Sequence, residues 1–406
     1  MGGDVVIIGG GQAAASCAAK LRALGYGGTV TIVAAEPVLP YQRPPLSKKY
    51  VAGELERERL LIRPADWYVE QNVKVERGVA ASAIDPARRR VSLADGRTLS
   101  YDSLVLATGA RPRQLPAAIG GDLPGLLTMR DLADADRLAP DLKPARRLLV
   151  VGGGYIGLEA AAVAAGKGLT VTVIEAAPRI LQRVAATPTS DYFRALHQRH
   201  GVDIREGISL VRLIARDDRA GGAELGDGTT IEADIVLVGI GVLPNDDLAR
   251  AAGLGVENGI LVDGSCRTSE ARIYAAGDCA SLLWQNERIR LESVQNAIDQ
   301  GEHVAKVIMG ETADYDPRPW FWSDQYDVKL QIAGLNRGYD SVIQRAGSRT
   351  GSQSVWYYRQ GQMIAVDAMN DALTYSIAKK VLEMGHSIPP EQAGDASIDL
   401  KPWLKA

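Results

Sequence analysis

Two groups of glycine and small residues have the spacing that binds the phosphates of nucleotides. Each follows a short apolar run and precedes a helix-like segment: Gly9, Gly11 and Ala14 in the first, and Gly152, Gly154 and Gly157 in the second. The first glycine of such a turn permits a tight bend, the second lets the backbone approach a pyrophosphate, and the third small residue lets helix and strand pack closely. The helix N-terminus offers free N–H groups and a positive dipole end to the phosphates. The pattern predicts two dinucleotide sites, and hence electron transfer from one dinucleotide to the other.

An acidic residue follows the next apolar run of each copy. It is Glu36 in the first copy and Glu175 in the second. A carboxylate at this position accepts hydrogen bonds from an adenosine ribose and repels a 2′-phosphate, so Glu175 favours NADH over NADPH. Arg179 and Arg183 lie just downstream and leave this preference open. The alternative interpretation, ordinary βαβ units with glycine turns, explains one copy more easily than two copies with matched acids.

The similarity between the two copies extends beyond the glycine turns. Three residues recur 132 positions later in the chain, Asp95, Asp102 and Gly109 as Asp227, Asp234 and Gly241. The glycine turns themselves are 143 positions apart, so the first copy carries 11 more residues. Each copy is predicted to contain a βαβ unit, a meander with an Asp-Gly turn and a buried strand that ends in glycine. We interpret the pattern as a duplicated nucleotide-binding domain.

Length, charge and composition exclude several classes of protein. The chain has 406 residues, enough for two to three domains, and its formal net charge of −3 does not favour nucleic acid as a partner. No apolar stretch approaches the ~20 residues that span a bilayer, so we expect no membrane insertion. No secretory signal precedes the first apolar strand, and we therefore expect a cytoplasmic location.

The cysteines and histidines do not form a redox or metal motif. Cys17, Cys266 and Cys279 are far apart, and neither a C-x-x-C nor a C-x-x-x-x-C spacing occurs. The chain therefore lacks the dithiol that accepts electrons in many flavoproteins with two dinucleotides. It also lacks a cysteine cluster that could ligate an iron–sulfur centre. The four histidines are scattered without metal-ligand spacing, so we expect no metal site.

The segments outside the two copies have simpler patterns. Residues 39–50 contain adjacent prolines that predict a rigid loop, in which Ser47 could cap a short helix. Residues 293–309 have helical periodicity. From about residue 323 the chain alternates between apolar and polar residues, with a hairpin turn at residues 359–362 and a last helix near residues 374–384. This pattern predicts an antiparallel α+β tail.

Several longer motifs carry a resemblance to a known family. The most specific lie at residues 43–48 (RPPLSK), 106–109 (LATG), 239–245 (GIGVLPN), 276–278 (AGD), 292–296 (ESVQN) and 319–325 (PWFWSDQ). Together they resemble the FAD-dependent pyridine-nucleotide oxidoreductases of the glutathione-reductase fold, and among these the oxygenase-coupled NADH:ferredoxin reductases. The resemblance covers nearly the whole chain.

The resemblance implies an α/β fold of two Rossmann-like domains followed by a C-terminal α+β domain. The implied bounds are residues 1–113 and 245–322 for a discontinuous FAD-binding domain, 114–244 for the NADH-binding domain and 323–406 for the C-terminal domain. The implied FAD contacts are Gly9, Gly11, Gln12, Ala13, Ala14, Ala35, Glu36, Arg43, Lys48, Ala81, Thr108, Gly109, Arg130, Asp278, Glu292, Val294 and Trp322. A helix cap is the plainer reading of Asp278, and both roles can coexist.

The resemblance also assigns an NADH site and three catalytic positions. The implied NADH contacts are Gly152, Gly154, Tyr155, Ile156, Gly157, Glu159, Glu175, Arg183 and Gly241. Tyr155 resembles the family's gate over the flavin. Lys48 and Glu159 hold positions that meet near flavin N5 in the family, where a lysine can stabilise the reduced ring and a carboxylate can orient the nicotinamide. The residues alone leave simpler alternatives open: a solvated loop lysine, and a first-turn glutamate that favours the helix dipole.

The implied activity is that of a ferredoxin–NAD(+) reductase. Such a flavoprotein takes hydride from NADH and passes single electrons to a separate [2Fe–2S] ferredoxin, which serves a cytochrome P450 or a Rieske oxygenase. Trp320 is the implied electron exit. Ferredoxins of this kind are commonly acidic, so we expect a basic docking face, with Arg63, Arg288, Arg290, Lys329 and Arg337 as candidates.

Two other functions fit parts of the pattern. An NADH oxidase or peroxide-type reductase on the same fold would need a redox cysteine where this chain has Ser47 and Lys48. A redox-signalling flavoprotein resembling apoptosis-inducing factor would share the paired glycine turns, Lys48 and Glu159. The absence of targeting and basic DNA-binding segments in the sequence argues against that second alternative.

Overall fold

The computed structural model describes residues 2–404 and divides the chain into two compact units. Unit 1 comprises residues 2–43, Glu56–Arg111 and Val242–Pro319. Unit 2 comprises Pro44–Leu55, Pro112–Gly241 and residues 320–404. The bounds of the three domains inferred from the sequence stay a prediction.

Unit 1 is built on a five-stranded parallel sheet. In spatial order its strands are Ile273–Ala275, Ser103–Leu106, Asp4–Ile8, Thr29–Ala34 and Val73–Arg77. The central strands are almost entirely buried because apolar, mostly β-branched residues suit a sheet that is covered on both faces. The chain order reverses between Asp4–Ile8 and Ser103–Leu106, so the crevice at their carboxyl ends is the expected place for a ligand.

Helices and smaller sheets surround the unit 1 sheet. The α-helices are Gln12–Ala23, Ala65–Glu70, Asp247–Ala251 and Val294–Ile308. One small sheet contains Ala81–Asp85, Arg90–Leu93 and Thr98–Ser100, and another contains Ile260–Val262, Ala280–Trp284 and Glu287–Ile289. Helices Gln12–Ala23 and Val294–Ile308 approach closely at Gly301, where a Cβ would lie 2.4 Å from the carbonyl oxygen of Ala13. Strands Ala110–Pro112 and Val242–Pro244 pair where the chain passes between the units.

The central part of unit 2 repeats the same plan. Its parallel sheet has the spatial order Asp203–Glu206, Thr170–Glu175, Arg147–Val151, Ile235–Val238 and Leu126–Leu127. A three-stranded antiparallel sheet follows, with strands Leu210–Arg216, Arg219–Leu225 and Thr230–Glu232. The α-helices are Leu132–Leu138, Tyr155–Gly166 and Thr187–Arg199. Four strands of the two sheets have equivalent order, which matches the predicted duplication. The fifth strand differs, because Leu126–Leu127 precedes the repeated unit in the chain whereas Ile273–Ala275 follows it.

The C-terminal part of unit 2 is an antiparallel sheet with helices. The sheet order is Trp320–Gln325, Val328–Gly334, Gln362–Met369, Gln353–Arg359 and Ser341–Ala346. Helices Ala372–Glu383 and Pro390–Gly394 pack against it, with Trp356, Val366 and Ile377 in the shared core. The predicted hairpin at residues 359–362 and the antiparallel α+β tail are confirmed. Across residues 2–404, the helices are too short or too polar to traverse a bilayer.

Candidate functional site

The first glycine turn leaves an open space in front of a helix. Gly9 has a φ of +129°, and a Cβ there would lie 2.0 Å from the carbonyl oxygen of Ala107, so only glycine is accommodated. A Cβ on Gly11 would meet nothing within 4 Å. Gly11 is also the N-cap of helix Gln12–Ala23, and the described residues provide no side-chain cap for this helix. The uncapped N–H groups facing open space suit a pyrophosphate.

The second glycine turn has the same geometry within unit 2. Gly152 has a φ of +109°, and its Cβ would lie 2.5 Å from the carbonyl oxygen of Gly239. A Cβ on Gly157 would lie 2.3 Å from the carbonyl oxygen of Gly152, which explains the requirement for glycine at the third position. Helix Tyr155–Gly166 begins after Gly154 and, like its counterpart, has no side-chain cap among the described residues. This turn therefore also fits a dinucleotide.

The two acidic residues are held by neighbours of different kinds. The carboxylate of Glu36 accepts hydrogen bonds from the Tyr41 hydroxyl at 2.6 Å and from Arg43 at 2.5 Å. The carboxylate of Glu175 accepts backbone N–H bonds from Gly153 at 2.7 Å and Ala177 at 2.8 Å. Each carboxylate oxygen has a second lone pair, so both groups can still accept a ribose hydroxyl. Glu175 in addition fixes the backbone of the glycine turn itself.

The residues assigned to FAD divide between the two units. Those of unit 1 are Gly9, Gly11, Gln12, Ala13, Ala14, Ala35, Glu36, Arg43, Ala81, Thr108, Gly109, Asp278, Glu292 and Val294, whereas Lys48, Arg130 and Trp322 belong to unit 2. Thr108 and Gly109 follow strand Ser103–Leu106, at the carboxyl edge that also carries the glycine turn. Val294 is the first residue of its helix, and Glu292 pairs with Arg290 at 2.6 Å.

Two readings based on helix capping were wrong. Asp278 lies in the turn between strands Ile273–Ala275 and Ala280–Trp284, so it does not cap a following helix. It adjoins Gly277, where a Cβ would lie 3.1 Å from Cβ of Ala13, so the turn itself packs beside the first helix N-terminus. Ser47 ends the 3₁₀ turn Pro44–Ser47, and its hydroxyl donates to another side chain instead of capping a helix.

Unit 2 brings Lys48 and Glu159 together in a buried ion pair. Lys48 Nζ lies 2.9 Å from Glu159 Oε1, and the side chains are 16% and 2% exposed. The hydroxyls of Ser47 and Ser323 each donate to the same carboxylate at 2.7 Å. A buried carboxylate needs such donors, because its lost hydration must be replaced. The simpler alternatives do not describe these residues: Lys48 is not a solvated loop lysine, and Glu159 lies beyond the first turn of its helix.

Further polar residues continue from this ion pair. Two of them, Ser323 and Gln325, lie in the motif at residues 319–325, but no role was predicted for them. Gln325 Nε2 lies 3.2 Å from Ser323 Oγ, and Gln325 Oε1 lies 2.8 Å from His197 Nε2. The hydroxyl of Tyr326 lies 3.3 Å from His197 Nδ1. Gln325 and His197 are 128 positions apart, so no local pattern could have indicated the contact.

Tyr155 occupies the start of the second helix, and its hydroxyl is buried. The ring packs against Phe321 at a centroid distance of 4.9 Å. The hydroxyl has no hydrogen-bond partner among residues 2–404. Burial, and after it the charge of Asp367, raises the pKa of Tyr155 well above its ordinary value, so the phenol stays protonated. Its ring is placed beside the glycine turn, as a gate requires.

The remaining NADH residues lie around the second turn. The guanidinium of Arg183 faces Gly241, whose added Cβ would lie 3.1 Å from Arg183 Nη2. Arg179 donates to Ser190 Oγ at 2.5 Å. Arg179 is thus engaged by protein, and Arg183 is the better placed of the two for a nucleotide phosphate.

The tryptophans and basic residues have distinct surroundings. The rings of Trp320 and Trp322 are 5.5 Å apart, and Lys379 Nζ lies 4.9 Å from the centroid of the Trp320 ring. Arg290 is poorly placed for docking, because its side chain is 8% exposed and pairs with Glu292. The other candidates for docking are exposed, namely Arg63, Arg288, Lys329 and Arg337.

The three cysteines are buried free thiols. Burial raises the pKa of Cys17 to about 12 and that of Cys266 to about 12, and it also raises the pKa of Cys279. The Cys279 thiol donates to the carbonyl oxygen of Leu106 at 3.3 Å. Because the thiolate is the redox nucleophile, all three are packing residues.

The arrangement of two glycine turns on two parallel sheets defines a class of proteins that bind two nucleotides. The family of pyridine nucleotide-disulphide oxidoreductases matches residues 3–301, and the reductase C-terminal family matches residues 320–404. The chain belongs to the pyridine nucleotide-disulphide oxidoreductase family, whose cofactors are FAD and NAD(H). It is therefore an oxidoreductase, and the predicted fold class is confirmed.

Individual relatives narrow the comparison. A ferredoxin–NAD(P)(+) reductase from Sphingomonas sp. is 46% identical over 99% of this chain and 97% of its own length. Putidaredoxin reductase CamA from Pseudomonas putida is 41% identical, over 99% and 97%. Among solved structures, the covalent putidaredoxin reductase–putidaredoxin complex matches with a TM-score of 0.95 and 40% identity, covering 99% of this chain and 98% of that chain. The predicted resemblance to ferredoxin reductases of oxygenase systems is confirmed.

Proposed function

We propose that the chain is an NADH-dependent FAD flavoprotein that reduces a separate [2Fe–2S] ferredoxin, which in turn serves a cytochrome P450 or a Rieske oxygenase. The relatives support this function, since they are named as ferredoxin or putidaredoxin reductases. The proposed location is the cytoplasm. The proposed division is FAD on residues 1–113 and 245–322, NADH on 114–244, and a C-terminal domain at 323–406.

The observation that carries the proposal is the burial of the cysteines beside two intact nucleotide turns. A dithiol exit requires paired or low-pKa thiols, whereas Cys17, Cys266 and Cys279 are separate, buried and raised in pKa. A bound FAD supplies the exchange between a two-electron donor and a one-electron acceptor. With no acceptor group in the sequence, the electrons leave to another protein.

The residues of the glycine turns bind and orient the nucleotides. The N–H groups at the start of helix Gln12–Ala23 and of helix Tyr155–Gly166 hold the pyrophosphates. Glu36 and Glu175 accept ribose hydroxyls, and Arg183 neutralises phosphate charge. We assign Asp278 to the sugar portion of FAD.

The buried ion pair of Lys48 and Glu159 is assigned the electrostatic role at the site. Lys48 is assigned to the negative charge of the reduced flavin ring, and Glu159 to the orientation of the nicotinamide. The hydroxyls of Ser47 and Ser323 keep the Glu159 carboxylate in one orientation. Tyr155 excludes water from the nicotinamide site until the nucleotide enters.

The test is NADH-dependent reduction of cytochrome c, with and without a panel of [2Fe–2S] ferredoxins. The proposal expects slow reduction without a ferredoxin and at least about tenfold faster reduction with one member of the panel. Oxygen uptake is measured in parallel. Rapid oxygen uptake that no ferredoxin increases would favour an oxidase instead.

Trp320→Ala tests the electron exit in the same assay. The variant is expected to reduce the ferredoxin-dependent rate several-fold, while NADH-dependent reduction of ferricyanide stays close to wild type. Trp403→Ala is a matched control, because Trp403 is another partly buried tryptophan of the C-terminal part. Wild-type ferredoxin reduction by Trp320→Ala would rule out the exit role.

A further inference from the structure

The polar residues that continue from Glu159 form an ordered chain inside unit 2. We name Ser323, Gln325, His197 and Tyr326 the Glu159 chain. The first three are each 0% exposed, and Tyr326 is partly exposed. Successive members are joined at 3.2, 2.8 and 3.3 Å, and Ser323 reaches Glu159 at 2.7 Å. Polar groups this deeply buried are costly unless every donor and acceptor is matched.

The directions of the hydrogen bonds between Glu159 and His197 follow from the charge on Glu159. An ionised carboxylate only accepts, so the single hydroxyl proton of Ser323 points to Glu159. Ser323 Oγ must then accept from the amide nitrogen of Gln325. This orientation leaves Gln325 Oε1 as an acceptor facing His197.

The same reasoning fixes the histidine tautomer. His197 Nε2 must carry the proton that Gln325 Oε1 accepts. In a neutral ring Nδ1 is then unprotonated and accepts from the Tyr326 hydroxyl. Burial lowers the pKa of His197 to about 4, which agrees with a neutral ring. All four donors therefore point toward the carboxylate, and hydrogen bonds aligned in this way polarise one another.

The backbone of Tyr326 provides an independent observation. Tyr326 lies in the two-residue turn between strands Trp320–Gln325 and Val328–Gly334 and has a φ of +54°. A bulky residue in this left-handed region is strained, and glycine is favoured in such turns. The Tyr326 ring is stacked on His200 at 3.7 Å and meets the His197 ring at 5.1 Å. The turn thus holds the Tyr326 ring against His197 and His200 at a conformational cost.

We propose that Ser323, Gln325, His197 and Tyr326 are positioning residues that hold the Glu159 carboxylate directed at Lys48. Lys48 is in turn kept in place by the carboxylate, at 2.9 Å. The kinetic consequence rests on the proposed function, because it concerns the charge that Lys48 supplies to the reduced flavin. The hydrogen-bond directions do not rest on it.

The tautomer of His197 tests the directions in the wild-type holoenzyme. Histidine labelled with ¹⁵N gives few ring signals, since the chain has four histidines, and His197→Gln identifies the relevant one. Near neutral pH we expect Nε2 protonated and Nδ1 unprotonated. A ring protonated at Nδ1, or at both nitrogens, would overturn the proposal whatever the enzyme's activity.

Variants of Gln325 test the consequence for the ion pair. The carboxylate introduced by Gln325→Glu can only accept hydrogen bonds. It therefore competes with Glu159 for the hydrogen bond that the Ser323 hydroxyl donates, and it adds a negative charge. We expect the limiting rate of FAD reduction by NADH to fall at least about tenfold, with apparent NADH affinity within about twofold. The midpoint potential of the bound FAD should become more negative. Gln362→Glu is the matched control, because Gln362 is an exposed glutamine on the same sheet.

Gln325→Leu keeps the site neutral and covers the case in which Gln325→Glu does not fold. It should slow FAD reduction about threefold and release His197 into a mixture of tautomers. Wild-type rate, potential and tautomer in both variants would overturn the proposal. Failure of the wild-type enzyme to reduce any ferredoxin would instead contradict the proposed function. The tautomer of His197 would still decide whether the hydrogen bonds of the Glu159 chain have the proposed directions.

Discussion

At the scale of single residues, Glu175 of the second copy combines an observed structural contact with a predicted role in nucleotide binding. Glu175 was predicted as a ribose acceptor from its place after a strand. The structure adds that its carboxylate binds the N–H groups of Gly153 and Ala177. Glu175 therefore shapes the turn, and we propose that it also discriminates between NADH and NADPH by its charge. Removing the Glu175 side chain should lower kcat/KM for both NADH and NADPH, and the decrease should be larger for NADH.

Glu175→Ala is expected to narrow the preference for NADH over NADPH at least about tenfold, or ~1.4 kcal/mol. The reason is that the variant loses a ribose acceptor and no longer repels a 2′-phosphate. The measurement is the ratio of kcat/KM for the two nucleotides. Glu175→Gln, which keeps an acceptor but removes the charge, should be intermediate. An unchanged ratio in Glu175→Ala would refute the assignment.

His197 should make the stability of the protein depend on pH. Its pKa is lowered to about 4 by burial and, to a smaller degree, by His200, while Gln325 and Tyr326 are its hydrogen-bonding neighbours. An unfolded histidine titrates near 6.5. Between these values the unfolded chain binds the extra proton, so stability is present above about pH 6.5 and is lost as the pH falls toward 4.

The matched variant is His197→Gln, which cannot titrate. From about pH 7 to about pH 4, wild type should lose up to about 3 kcal/mol more unfolding free energy than the variant, measured by urea titration. Asp367 acts in the opposite sense. Burial raises its pKa to about 6, so its contribution to the free energy of unfolding is lost as the pH rises from about 3.8 to 6. It is present in both proteins and cancels. Parallel pH profiles would contradict a buried neutral His197.

At the scale of elements, Arg345 stabilises the segment that contains helix Pro390–Gly394. Arg345, which is 9% exposed, donates to the carbonyl oxygens of Gln392, Ala393, Asp395 and Ile398. These carbonyls lie in and after helix Pro390–Gly394, and only that of Asp395 is also shown to accept a backbone N–H, from Ile398 at 3.1 Å, among the hydrogen bonds outside helices. One planar cation thus binds several carbonyl acceptors of this segment at once.

Arg345→Met should lower the unfolding free energy by about 2–4 kcal/mol, because the carbonyl acceptors lose their donors. Denaturant titration measures the change, and hydrogen exchange of residues 390–400 locates it. Arg359→Met is the control, since Arg359 is exposed at the end of strand Gln353–Arg359. Equal stability of the two variants would show that Arg345 does not secure this segment.

Patterns of short range predicted most of the elements. Glycine spacing indicated both βαβ units, and alternation indicated the tail, because these signals depend on residues a few positions apart. The readings of Ser47 and Asp278 as caps were wrong for the same reason. A capping residue is recognised by its type, whereas its partner depends on the tertiary fold. For Ser47 that partner is Glu159, 112 positions away.

The candidate site was predictable only in part. The resemblance assigned Lys48 and Glu159, and the structure places them in one ion pair. Its motif at residues 319–325 contains Ser323 and Gln325 but assigned them no role, and it did not indicate His197, since serine, glutamine and histidine in isolation have no distinctive spacing. Their importance arises from burial and from contacts across more than a hundred positions.

At the scale of the whole molecule, we propose that electrons pass between two nucleotides and leave to another protein. The cysteines are buried free thiols with raised pKa values, and the sequence contains no iron–sulfur ligand cluster. We therefore expect electrons to enter as a pair from NADH and to leave one at a time. This exchange sets a stoichiometry that is independent of rate.

The most direct test is an anaerobic titration of enzyme and excess ferredoxin with small amounts of NADH. Absorbance at 340 nm reports NADH, and the visible bands of the iron–sulfur cluster report ferredoxin. We expect about two ferredoxins to be reduced for each NADH oxidised, with catalytic amounts of enzyme. Oxidation of NADH without ferredoxin reduction, or a ratio near one, would contradict it.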